Sequence, residues 1–119
     1  MPHRSVARAE LADLLALLGH PLRLALLLAL RSGEQDVTTL MRAVEAHQSA
    51  VSQALAKLRA ARLLHVRRDG RHVFYSLALP GLGAWLDGGL AILEAETAQM
   101  VAVHDAIALM RRDLVGGAS

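Results

Sequence analysis

The chain has 119 residues, no cysteine, and 13 basic against 11 acidic residues for a formal charge of +2. That length suits one domain, and the missing cysteine excludes disulfides, thiolate metal centres and thiol redox chemistry. With 54% hydrophobic, 20% charged and 3% aromatic residues, the composition predicts a helix-rich globule whose Ala and Leu core leaves little room for a large ligand pocket.

From Ser5 to Leu18, the residues Leu11, Leu14, Leu15 and Leu18 recur at helical spacing, and Gly19-His20-Pro21 ends that helix and opens the next. The second helix, Leu22 to Arg31, is apolar on nearly all sides and reads as the buried centre; Ser32-Gly33 closes it. Arg23 and Arg31 bracket its LALLLAL run, so no stretch reaches the roughly 18 apolar residues of a membrane span. Nor does a signal-peptide core precede Glu10. A cytoplasmic location with no membrane partner is expected.

A third, short helix is predicted from Thr38, with Thr38 as its cap and Leu40, Met41 and Val44 as its buried stripe. After the turn Ala46-His47-Gln48, a fourth helix follows with Ser49 as N-cap. Val51, Ala54, Leu55 and Leu58 form its inward face, and Ser49, Ser52, Gln53, Ala56, Lys57 and Ala60 face outward. A solvated helix usually shows Glu and Lys there. Ala, Ser and Gln instead let a backbone approach base edges closely while presenting donors and acceptors.

The next segment alternates as two strands, Leu64 and Val66 with His65 and Arg67, then Val73 and Tyr75 with His72 and Phe74, about an Asp69-Gly70 turn. His65 and His72 are expected to lie close across this hairpin. Between Lys57 and Arg71 stand six basic residues, Lys57, Arg59, Arg62, Arg67, Arg68 and Arg71, against the single acid Asp69. Such a concentration of positive charge suits a phosphate backbone. The alternative is a hairpin tip kept soluble by its charges.

After Pro80 a helical pattern runs to about Leu114, longer than one small core can cover. Leu86, Leu90, Leu93, Thr97, Met100, His104 and Ile107 follow alternating steps of four and three, a seam that calls for a partner helix. Its own copy in a homodimer is the simplest partner, and a twofold dimer sets two DNA-reading helices about 34 Å apart. The fold class expected is mainly α with a β-hairpin wing, a winged helix-turn-helix with four helices before the hairpin and one after. Residues 1–119 form a single domain in this reading, with 38–77 as helix-turn-helix and wing and 4–18 and 80–115 as dimerisation helices. Leu11, Leu14, Leu86, Leu90, Leu93, Met100 and Ile107 are the expected interface.

With those residues in place, the chain resembles the ArsR/SmtB family of bacterial winged-helix transcriptional regulators. GHPLRLALLLAL is similar to the family's His-or-Asp-Pro-x-Arg segment, and SAVSQALAKLRAARLLHVRRDGRHVFYSL to its recognition helix and wing. The resemblance implies a cytoplasmic homodimer, paired through its first and last helices, that binds operator DNA and is usually released by an inducer, often a metal ion. It carries DNA contact over to Ser49, Ser52, Gln53 and Lys57 in the helix and to Arg67, Arg68, Arg71 and His72 in the wing. Arg62 stands where relatives commonly have a glycine ending the recognition helix; a left-handed backbone there costs about 1 kcal/mol.

The family's sensing motifs are absent. Asp36-Val37-Thr38-Thr39-Leu40 replaces the thiolate motif, and Ala78-Leu79-Pro80-Gly81 follows Tyr75-Ser76-Leu77 where an Asp-x-His pattern would begin; Ile92 and Ala95 occupy the later ligand positions. A different strip remains on the last helix, where Glu96, Met100 and His104 recur at i, i+4 with Asp105 beside them and His3 as a further candidate. Those donors suit nickel, cobalt or zinc. Against this stand His104 as a polar residue of the helix seam and His3 as a tail residue. Two other readings stay open: a metal-blind DNA-binding subunit controlled by a separate sensor protein, and a helical interaction module that does not touch DNA. An enzyme is not expected, because no base and nucleophile pair at motif spacing and no glycine-rich phosphate loop is present.

Overall fold

The computed structural model describes the backbone of residues 2–117 and the side chains of residues 3–112. Its elements run α1 (Pro2–Leu18), α2 (Pro21–Leu30), β1 (Gln35–Asp36), α3 (Val37–Val44), α4 (Gln48–Ala60), β2 (Leu64–Asp69), β3 (His72–Leu77) and α5 (Leu82–Gly117). Two compact units result, Met1–Ala84 and Trp85–Ser119. No single helix among the described residues is long and apolar enough to cross a membrane.

In the first unit, α2 is the central post. Leu26, Leu27 and Leu30 are fully buried with Leu40 of α3 and Val51, Leu55 and Leu58 of α4, and removing any of these large side chains from water contributes about 1.5–3 kcal/mol. Pro21 occupies the first turn of α2, where its missing N–H costs nothing. Two residues on, Arg23 turns back and its Nε donates to the Leu17 carbonyl at 2.8 Å, satisfying an open carbonyl at the end of α1. Gln35 does the same for α2, donating from Nε2 to the Ala29 carbonyl at 2.5 Å.

The hairpin is the expected one with a third strand added. Gln35 pairs with Tyr75 and Asp36 with Phe74, giving a sheet of order β1-β3-β2. Asp69 pairs with His72, so the loop is Gly70-Arg71 and not Asp69-Gly70. Gly70 takes φ 62° at the first loop position, as a II′-type hairpin requires. The same register sets His65 opposite Ser76. His65 and His72 therefore lie about 13 Å apart along the ladder at roughly 3.3 Å per residue, not face to face.

Helix starts also moved. Asp36, not Thr38, caps α3: its carboxylate accepts from the Thr39 backbone N–H at 2.8 Å. His47 is the N-cap of α4 without a side-chain bond, which places Ser49 inside the first turn. The inward stripe of α4 is as expected, with Val51, Ala54, Leu55 and Leu58 all buried.

The end of α4 carries the strain anticipated at Arg62. Arg62 N–H donates to the Arg59 carbonyl at 2.9 Å and Leu63 N–H to the Leu58 carbonyl at 3.0 Å, the paired bonds of a Schellman cap, and Arg62 holds φ 64°. Leu58 and Leu63, the apolar pair of that motif, are both buried. Arg62→Gly relieves a left-handed non-glycine residue, and the urea unfolding midpoint is expected to rise by an amount worth about 1 kcal/mol. An unchanged or lowered midpoint contradicts this.

Candidate nucleic-acid interface

Helices α3 and α4 are joined by the tight turn Glu45-Ala46-His47, whose Glu45 is left-handed at φ 51° and donates its N–H to the Met41 carbonyl at 3.0 Å. That bend leaves one face of α4 buried and the other open. Ser49, Ser52, Gln53, Ala56, Lys57 and Ala60 are all exposed. No carboxylate occurs anywhere in α4, so this face is uncharged or positive along its whole length.

The wing arginines are not equivalent. Arg67 is committed within the chain: its Nη2 donates to Glu34 Oε1 at 2.6 Å and its Nε to Glu34 Oε2 at 3.0 Å, a bidentate fork. Its guanidinium also lies 4.5 Å from the centre of the Phe74 ring, a cation–π contact, and 3.8 Å from Asp69. Arg68 and Arg71 are exposed, Arg71 in the loop itself. His72 is exposed, with Nδ1 3.9 Å from Asp36 Oδ2.

The charge pattern leaves its mark on titration. Hydrogen bonds from Arg67, reinforced by its charge, hold the Glu34 carboxyl below its ordinary range. Hydrogen bonds from Thr39 do the same for Asp36, helped by the charges of His72 and Arg42. The Glu34 bonds in turn push Arg67 up.

On α5 the expected seam divides. Leu86 is buried, whereas Leu93, Met100 and Ile107 are 63%, 64% and 53% exposed and Leu90 is 40% exposed. Thr97 turns its hydroxyl onto the Leu93 carbonyl of its own helix at 2.8 Å. On α1, Leu11 is exposed and Leu14 half-buried. Glu96, Met100 and His104 line one shallow groove of α5. Asp105 falls about 100° around the helix from His104 and so faces away from that strip. His3 lies exposed in the first turn of α1. Among the described residues, no three His, Asp or Glu side chains gather closely enough to hold a metal ion.

Sequence reasoning missed Glu34 and Phe74, the two groups that hold Arg67, because nothing local links positions 34 and 67. The pairing of β1 to β3 creates that link. Arg59, which the sequence places only within the basic cluster, is exposed on the flank of α4 opposite Lys57.

Residues 20–66 match the family model described as bacterial regulatory protein, arsR family. A biofilm growth-associated repressor from Agrobacterium fabrum is 37% identical over 78 residues, 66% of this chain and 67% of that protein. The chain belongs to the ArsR family of bacterial regulatory proteins. A transcriptional repressor SmtB homolog from Synechocystis is 44% identical over 69 residues, 58% of this chain and 52% of that protein; the chain thus spans about half to two thirds of the length of these curated relatives. The crystal structure of the transcriptional repressor BigR from Xylella fastidiosa superimposes with a TM-score of 0.69 at 31% identity, covering 77% of this chain and 95% of that one. The fold is the ArsR-type winged helix-turn-helix.

A carboxylate whose folded-state pKa is depressed stabilises the fold above its ordinary pKa of about 4.3, and that contribution disappears as pH falls through the lower folded value. Glu34→Gln is therefore expected to unfold at lower urea than the native chain at pH 7, with the gap closing on acidification below about pH 4. A gap that persists unchanged at pH 3 contradicts the ion pair with Arg67 as its origin.

Proposed function

We propose that the chain regulates transcription by binding duplex DNA as a homodimer, with the open face of α4 in the major groove and the wing on the adjoining backbone. The observation that carries this reading is the acid-free, small-residue face of α4 standing beside a hairpin with two uncommitted cations, Arg68 and Arg71. Gln53 offers both a donor and an acceptor to a base edge, whereas Ser49, Ser52 and Lys57 are suited to phosphate or mixed contacts. His72 stands next to the wing loop, paired with Asp69, as a further backbone contact. Arg67 contributes less than its neighbours, since its charge is already balanced by Glu34.

The dimer is supported by α1 and α5. Helix α5 is 36 residues long, and its exposed Leu93, Met100 and Ile107 require cover from water. A copy of the same helix supplies it.

A finer reading makes a divalent transition metal, such as nickel, cobalt or zinc, the effector. Glu96, Met100 and His104 supply the donors, but four-residue steps separate Glu96 from His104 by about 12 Å along the helix. One chain cannot bring all three to one ion. Two facing α5 strips can, so metal binding in this reading requires the dimer.

Fluorescence anisotropy on a duplex from the gene's own upstream region and on a random duplex tests both readings. Arg71→Gln should weaken binding to both duplexes alike and flatten the salt slope, whereas Gln53→Ala should cost about 1–3 kcal/mol on the upstream duplex alone. Equal losses on both duplexes refute Gln53 as a base reader, and absence of salt-dependent binding refutes the DNA reading. Nickel, cobalt and zinc titrated against the native chain and a Glu96, Met100, His104 triple-alanine variant decide the effector. Native binding no tighter than the variant's refutes direct sensing and favours a metal-blind subunit governed by a separate sensor protein.

A further inference from the structure

Lys57 and Arg59 are two residues apart on α4, which turns their side chains about 200° from one another around the helix axis. They therefore leave the helix on opposite flanks, and a notch lies along each flank. One, of about 340 Å³, runs between α4 and the start of α2 and is lined by His20, Arg23, Gln53 and Lys57 together with a leucine and two alanines. The other, of about 400 Å³, runs between α4, the start of α3 and β3 and is lined by Ser52, Arg59 and Tyr75 among others. No carboxylate lines either notch. A third groove of similar size, under α1, carries Glu10 and Asp13.

A DNA major groove is about 12 Å wide, and an α-helix with its side chains measures about 10–12 Å across. A helix seated in that groove has a row of phosphates immediately along each side. Its two flanks, and not its tip, then meet the backbone on both strands. Here each flank carries one cation from α4 beside a concave, acid-free recess furnished with polar side chains from a neighbouring element. Arg23 is already bonded to the Leu17 carbonyl, and with Gln53 turned to the base edges in the reading above, Lys57 and His20 serve the first recess. Arg59 and Tyr75 serve the second.

We infer that these two notches seat the sugar-phosphate backbones on either wall of a DNA major groove, Lys57 with His20 holding one strand and Arg59 with Tyr75 the other. The inference rests on the DNA-binding reading above and adds Arg59, Tyr75 and His20 to the residues that hold the duplex. It also gives the wing a separate task. The notches fix how deeply α4 sits, while Arg68 and Arg71 reach the backbone beyond it.

Binding is measured by anisotropy across a salt series on the upstream duplex and on a random duplex of equal length, with circular dichroism confirming that each variant is folded. Each phosphate contact contributes about 0.9 to the log–log salt slope, and its loss weakens binding about eightfold at 0.1 M salt. Arg59→Gln is expected to show that change, per protomer, on both duplexes. Arg59→Lys keeps the charge and should keep the slope, and Arg8→Gln, the same charge loss on α1, should leave the slope in place. If the native chain binds DNA but Arg59→Gln behaves like Arg8→Gln, or Arg59→Lys loses as much as Arg59→Gln, the notch assignment is overturned while the DNA reading stands. A native chain that binds neither duplex at any salt overturns both.

Discussion

Three consecutive side chains, Glu34, Gln35 and Asp36, tie the parts of the reading head to each other. Gln35 closes the end of α2, Asp36 caps α3, and Glu34 grips Arg67 in the wing. The backbone between them pairs with β3. Helix α2, the start of the helix-turn-helix and the hairpin therefore share one short segment in which each of the three side chains makes a hydrogen bond. Each bond is modest, since exposed ion pairs contribute little individually. Their adjacency is what matters: the wing cannot swing from α3 without breaking a strand pairing and an ion pair together.

That arrangement also apportions charge. Arg67 is the wing arginine nearest the body of the fold, and it is spent on rigidity through Glu34 and the Phe74 ring. Arg68 and Arg71 remain for an external anion. On α4 the two cations leave on opposite flanks and the middle of the face is Ala, Ser and Gln. In the proposed complex positive charge sits where phosphate rows run and is absent where base edges are read, the division of labour that separates positioning from specificity.

The parts of the fold legible in the sequence are those governed by periodicity. Val51, Ala54, Leu55 and Leu58 announce the inward face of α4 because four apolar residues at helical spacing leave one solution, whereas the left-handed Arg62 was suggested only by the glycine that similar regulators commonly carry there. The parts not legible depend on choices between near-equivalent neighbours or on distant pairing. Asp36 and Thr38 are both good caps two residues apart, and only the observed chain path lets the carboxylate reach Thr39 N–H. The hairpin loop shifted by one residue because Asp69 pairs with His72, which also separated His65 from His72. β1 is two polar residues with no alternation to betray it, so Glu34 and its hold on Arg67 had no local signal. On α5 the spacing of the seam was readable, yet the burial of Leu86 beside the exposure of Leu93 was not.

The central claim is that α4 and the wing, locked by the Glu34–Asp36 segment, meet one duplex together, twice over in a twofold dimer. Hydroxyl-radical footprinting on the gene's own upstream DNA addresses it most directly. The account predicts two protected tracts with centres about 34 Å apart, each flanking a major groove and extending on one side under the wing. A single tract, protection confined to a minor groove, or uniform cleavage along the fragment would contradict it.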